Sequence, residues 1–147
     1  MSILRHARST DAGKIGAILS EFTDTTDWMP AIHTRAEDVA HAGTLIARGW
    51  VIIADVERVV VGFAACDGAR LNALYVAKHA RGKGVGSALL QHLQQVQPKL
   101  RVWTFQANTR AQTFYERHGF AEVTRTDGAD NDEKLPDIRL EWQREGA

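Results

Sequence analysis

One turn constrains what this chain can fold into: Arg81-Gly82-Lys83-Gly84-Val85-Gly86, which joins a short apolar run to an amphipathic stretch. Upstream, Leu71, Ala73, Leu74 and Val76 read as a strand that ends at the polar Lys78 and His79. Downstream, Val85, Leu89, Leu93 and Val96 recur at helical spacing and predict the inward face of a helix, which Pro98 stops. A glycine-rich turn that opens a helix presents unpaired backbone N–H groups and the positive end of the helix dipole. Arg81 and Lys83 add charge at the same place. The turn is therefore expected to hold an anion of the pyrophosphate kind.

Spacing separates three glycine-loop readings. A Walker-type loop ends in Gly-Lys-Ser/Thr, and here Gly82-Lys83 is followed by Gly84. A dinucleotide fingerprint runs G-x-G-x-x-G and needs an acidic residue about 20 positions later at a strand end. The glycines here run G-x-G-x-G, and the next strand candidate, Arg101 to Gln106, ends in an amide. The third reading fits without adjustment. Arg81 to Gly86 resembles the Q/R-x-x-G-x-G/A element with which the GNAT superfamily of N-acetyltransferases binds the pyrophosphate of acetyl-CoA. A second stretch, Asn108-Thr109-Arg110-Ala111-Gln112-Thr113-Phe114-Tyr115-Glu116-Arg117-His118-Gly119-Phe120, is similar to that superfamily's N-x-x-A-x-x-F-Y-E-x-x-G-F element, in the right order and at the right separation. Its local physics agrees. Asn108 or Thr109 caps a helix, Ala111 and Phe114 form an inner stripe, and Gly119 is placed for a left-handed C-terminal cap.

The resemblance implies a fold of class α/β (α+β): a mixed, mostly antiparallel twisted sheet of about seven strands with helices on both faces, in the order β-α-α-β-β-β-α-β-α-β-β. It implies acetyl-CoA as co-substrate, no metal, and direct transfer of the acetyl group to a primary amine. Arg81, Gly82, Lys83, Gly84, Val85, Gly86 and Ser87 would then meet the pyrophosphate. Backbone groups along Leu74, Tyr75 and Val76 would meet the pantetheine arm and the thioester carbonyl, where two strands splay apart. Asn108, Ala111 and Phe114 complete the expected cofactor site. Tyr115 matches the tyrosine that protonates the departing thiolate, and a phenol with an ordinary pKa near 10 carries its proton at neutral pH. A non-catalytic acyl-CoA-binding or sensing module on the same fold is the alternative.

The rest of the chain is consistent with these expectations. At 147 residues and 44% hydrophobic content, residues 1–147 are expected to form a single domain with a proper core. Lys plus Arg and Asp plus Glu both number 18, a balance that argues against a generic nucleic-acid or anionic-membrane binder. The sequence shows no membrane-length apolar stretch and no apolar signal region, so the expected location is cytoplasmic. The one cysteine, Cys66, sits in an apolar run and reads as a small core residue. Strands are predicted at Ile3 to Ala7, Trp50 to Val56, Val59 to Cys66, Phe120 to Arg125 and Ile138 to Trp142. Helices are predicted after Ser9-Thr10-Asp11, with Ile15, Ile18, Leu19 and Phe22 inward, and after the capping box Thr34-Arg35-Ala36-Glu37, with Val39, Ala42, Leu45 and Ile46 inward. Thr126 to Leu135, rich in Asp and Gly, is the expected mobile loop.

The acceptor is less legible. Trp28, His33, Trp103, Asp137 and Arg139 are the candidates for lining its pocket, although Asp137 and Arg139 share a strand face and could pair with each other. The general base is open among His33, Asp137 and water. A small-molecule amine, a peptide N-terminus and a lysine side chain are all compatible, as are acyl groups longer than acetyl. The tail from Asp137 to Trp142 alternates like a strand, and because members of the resembled superfamily often pair through late strands, the resemblance implies a homodimer.

Overall fold

The computed structural model describes residues 2–146, so Met1 and Ala147, the ends of the expected domain, lie outside the described residues. Seven strands form one sheet: β1 (Ile3–His6), β2 (Val51–Val56), β3 (Val59–Asp67), β4 (Arg70–Val76), β5 (Lys99–Phe105), β6 (Ala121–Thr126) and β7 (Asp137–Gln143). Their spatial order is β1-β2-β3-β4-β5-β7-β6, antiparallel everywhere except between β4 and β5. Among the described residues there are four α-helices, α1 (Ala12–Asp24), α2 (Arg35–Ala47), α3 (Val85–Val96) and α4 (Thr109–Arg117), and two short 3-10 turns at Ser9–Asp11 and Lys78–Ala80.

Alternation along the central strands divides the core into two layers. On one face Ile52, Ala54, Val61, Ala64 and Leu71 pack with Val85, Leu89, Leu90 and Leu93 of α3 and with Tyr115 and Phe120. On the other, Val51, Ile53, Val60, Phe63 and Ala65 pack with Ile15 and Ile18 of α1 and Ala42 and Leu45 of α2. Val96 does not join the inner face of α3. It is the last residue of α3 and is 59% exposed, whereas Leu90, outside the predicted stripe, is fully buried. Val39 of α2 is also partly exposed, yet its backbone sits where a side chain on Gly16 would have to go. That glycine lets α1 and α2 approach closely.

Local signals account for most boundaries. The β2–β3 hairpin turns on Glu57 and Arg58, both at positive φ (50° and 69°), with the Arg58 N–H donating to Asp55 at 2.7 Å. Thr34 and Glu37 form the predicted reciprocal cap of α2. Thr126 to Leu135, expected to be mobile, is tied up internally. Asn131 donates to Leu135 O and to Asp137, Lys134 Nζ reaches Ala129 O, and the Gly128 N–H donates to Thr126. Only glycine fits at 128, since a Cβ there would fall 2.1 Å from Leu135 O.

Candidate active site

The site begins with a gap in the sheet. β4 and β5 pair only at Arg70–Arg101 and Leu71–Val102, and beyond that point they part. The edge of β4 that faces β5 therefore carries unpaired backbone groups from Asn72 onward, while its other edge is paired through Val76 to β3. At the end of β4 the glycine turn takes over. Gly82 and Gly84 have φ of +76° and +82°, a region glycine enters without strain, and the space in front of both is open. Gly84 caps α3, leaving the first N–H groups of that helix, on Val85, Gly86 and Ser87, without helical partners. Arg81 folds back to donate its Nε to Val76 O at 3.2 Å, which ties the turn to the strand end.

These elements and α4 enclose a groove of about 340 Å³, lined by Leu74, Tyr75 and Val76, by Arg81, Gly82, Gly84, Val85, Gly86 and Ser87, and by Asn108, Ala111, Phe114 and Tyr115. Asn108 caps α4 by accepting from the Ala111 N–H at 3.1 Å. Phe114 reaches the turn, where a Cβ on Gly86 would meet its ring at 3.4 Å. Tyr115 is 5% exposed, and its hydroxyl makes no hydrogen bond to the described residues. Burial pushes its pKa well above the ordinary phenol value.

A second cavity, about 520 Å³, opens on the other side of Tyr75 and Phe22, which line both spaces. Its walls come from the end of α1, the α1–α2 connection, the start of α2, and Asp132 and Glu133 of the β6–β7 loop. Four carboxylates face it (Glu37, Asp38, Asp132 and Glu133), together with His33 and His41, and no Lys or Arg among its lining residues. Glu37 is engaged by the α2 cap and Asp38 accepts from buried Ser20 at 2.7 Å. The Tyr75 ring stacks on Phe63 and meets Phe22 edge-on at 5.2 Å. Burial first, then the charges of Glu133 and Asp38, push its phenol up to about 12.

The structure thus gathers the expected cofactor residues around one groove, with Lys83 exposed at its mouth and not in its wall. The expected acceptor residues scatter. His33 lines the second cavity. Trp28 lines neither space but backs them, packing edge-on against Phe22 and Phe105. Trp103 and Arg139 also stand apart from both cavities: directly paired across β5 and β7, they stack on each other, and Trp103 is 44% exposed. Arg139 pairs with Glu141, not with Asp137, whose carboxylate accepts from Thr126 and Asn131 within its own loop. Asp38, His41, Asp132 and Glu133 had no spacing signal, and the spacing of Phe22 marked it only as an inward residue of α1; the closure of the β6–β7 loop over α1 and α2 brings them together.

Among the described residues no cluster of His, Cys, Asp or Glu is arranged to hold a metal ion, and no helix is long and apolar enough to cross a membrane. Comparison with known proteins gives a consistent picture. A family model described as an acetyltransferase (GNAT) domain matches residues 47–122. The chain is 32% identical over 143 residues to the peptidyl-lysine N-acetyltransferase YiaC of Escherichia coli, covering 92% of this chain and 94% of that protein. It is 28% identical over 139 residues to the peptidyl-lysine N-acetyltransferase YjaB of Salmonella typhimurium, covering 93% and 95%. The solution structure of apo YjaB from Escherichia coli superposes with a TM-score of 0.81 at 26% identity, over 97% of each chain.

Proposed function

The chain belongs to the GNAT family of N-acetyltransferases, and from that premise we propose that it acetylates a lysine side chain of a peptide or protein, using acetyl-CoA held in the groove between α3 and α4. The observation that carries this reading is the adjacency itself: a groove with a helix N-terminus at one end shares Phe22 and Tyr75 with a carboxylate-lined cavity. The relatives are named as enzymes, so a non-catalytic module is not favoured.

The groove suits acetyl-CoA. The three free N–H groups of α3, the open space before Gly82 and Gly84, and Arg81 and Lys83 fit a pyrophosphate. The unpaired edge of β4 fits an amide-bearing arm. Bound there, acetyl-CoA supplies an activated acetyl group as a thioester. Backbone N–H groups at the β4–β5 gap stabilise the charge that builds on a carbonyl oxygen. The acceptor amine forms the new C–N bond as the C–S bond breaks. Tyr115 gives its hydroxyl proton to the departing sulfur, and burial keeps that phenol protonated. The amine proton leaves toward the second cavity, where His33 and solvent can take it, since Asp137 is already engaged. Carboxylates around that cavity favour a cationic side chain over a neutral or acidic one.

The test is CoA release from acetyl-CoA with a panel of small amines, peptides with a free N-terminus, and N-terminally blocked peptides carrying one lysine. The blocked lysine peptides should turn over fastest. Preference for the free N-terminus would move the acceptor elsewhere. In parallel, CoA should raise the Tm of the wild-type protein, and Gly84→Asp should abolish that rise by placing a negative charge at the helix N-terminus.

A further inference from the structure

The two walls of the cofactor groove meet at a residue that lines neither cavity. His118 ends α4, and its ring nitrogen Nε2 lies 3.1 Å from Ser87 Oγ in the first turn of α3. Its main-chain carbonyl accepts from Gln94 Nε2 at 2.9 Å. Ser87 and Gln94 are seven residues apart, two turns along one face of α3. The same imidazole packs 4.8 Å from the ring of Phe114, which lines the groove and touches the glycine turn. One residue thus ties the end of α4 to two points of α3, through one side-chain and one main-chain bond.

From this geometry we propose that His118 is a positioning residue for the cofactor, aiming the Ser87 hydroxyl into the groove and holding Phe114 against the turn. The proposal rests on the acetyl-CoA reading of the groove. A serine has one hydroxyl proton, and a phosphate offers only acceptors. If Ser87 spends that proton on Nε2, its oxygen presents lone pairs to the anion, which repel it. If Nε2 carries the hydrogen and donates to Oγ, the serine proton is free to point outward to the phosphate. An anion in the groove therefore selects the Nε2–H tautomer. Burial holds the His118 imidazole below its ordinary range, so at neutral pH it acts through that tautomer and not through a charge.

Calorimetric titration of CoA into the wild-type protein, Ser87→Ala, His118→Ala, His118→Gln and the Ser87→Ala/His118→Ala double variant tests this. His118→Ala should weaken CoA about fivefold, the worth of one hydrogen bond, and raise KM for acetyl-CoA while leaving kcat within about twofold. His118→Gln, whose amide N–H can still donate to Oγ, should bind within about twofold of wild type. The double variant should be no weaker than the worse single variant, because both remove the same contact. Wild-type affinity in His118→Ala or in Ser87→Ala, or losses that multiply in the double variant, would overturn the proposal. Should His118→Ala not fold, Ser87→Ala and His118→Gln decide it alone. A wild-type protein that takes up no CoA brings down the acetyl-CoA reading as well, which distinguishes the two failures.

Discussion

The groove proposed for the cofactor and the cavity proposed for the acceptor share two residues, Phe22 and Tyr75, and are built on opposite plans. The groove is assembled chiefly from residues 74–87 and 108–115, and most of its proposed contacts are backbone groups: a helix N-terminus, a glycine turn, and a strand edge left bare where β4 and β5 part. The cavity draws on the end of α1, the start of α2 and a loop some hundred residues later, and the charges it offers are side chains. Backbone recognition demands particular φ values and particular glycines, so it leaves a pattern in the chain. Side-chain recognition needs only that charges converge, and many sequences satisfy that. A groove of the first kind is suited to a constant ligand, a cavity of the second kind to a variable one.

Substitutions on each side of the shared wall test this division. The largest effect is expected on the groove side. Tyr115→Phe keeps the ring and its packing on Phe114 and Phe120 and deletes the hydroxyl. Turnover should fall on the order of 10²-fold, with CoA affinity changed by less than about threefold. Because burial raises the Tyr115 pKa, its proton stays on through pH 10, and the wild-type rate should show no loss near the ordinary phenol value. Turnover close to wild type in the Phe variant would mean that another group protonates the sulfur.

A smaller effect belongs to the scaffold of the acceptor side. Asp11, just before α1, is 5% exposed and accepts two bonds from Arg5, at 2.9 and 3.0 Å, and one from the Arg8 N–H. The Arg5 guanidinium holds its carboxyl at about 2, against a usual 3.8. A depressed carboxylate pKa contributes stability that is fully present above 3.8 and is lost as pH falls toward 2. Asp11→Asn should therefore cost about 1–2 kcal/mol in urea unfolding at pH 7, Arg5 being partly solvated, and progressively less below pH 4. CoA affinity should not change, because the groove, Phe22 apart, is built from residues 74–115. A matching loss of CoA binding would show that the two regions are coupled.

The smallest effect is the most diagnostic. Glu133 has no ion-pair partner among the described residues and bears electrostatically on the Tyr75 phenol from across the cavity. Glu133→Gln should raise KM for a lysine peptide about fivefold, within the range of a partly solvated charged contact, and leave KM for acetyl-CoA unchanged. An equal rise in both would erase the distinction between the two regions.

The fold was legible where local patterns and backbone demands coincide. The Glu57-Arg58 hairpin, the Thr34–Glu37 cap and the Gly82–Gly86 turn each appear in the structure where the sequence placed them, since each depends on residues a few positions apart. Reading failed where a side chain's neighbours come from far along the chain. Trp103 and Arg139, which looked like pocket residues, face each other across two strands on a part of the sheet that α1 and α2 leave uncovered. Asp137 was read against Arg139 along its own strand, but its partners are Thr126 and Asn131.

What the sequence alone determined is the glycine turn, the helix it opens and the family resemblance that points to acetyl-CoA, all written in short-range periodicity and in glycines that only positive φ explains. Tertiary structure alone decided where β4 and β5 part, that Tyr75 stands between two cavities, that Glu133 comes back to face α2, and that His118 reaches Ser87. Each of these depends on how strands stagger and how helices close over the sheet. Those outcomes are set by the packing of the whole core, and no window of neighbouring residues contains them.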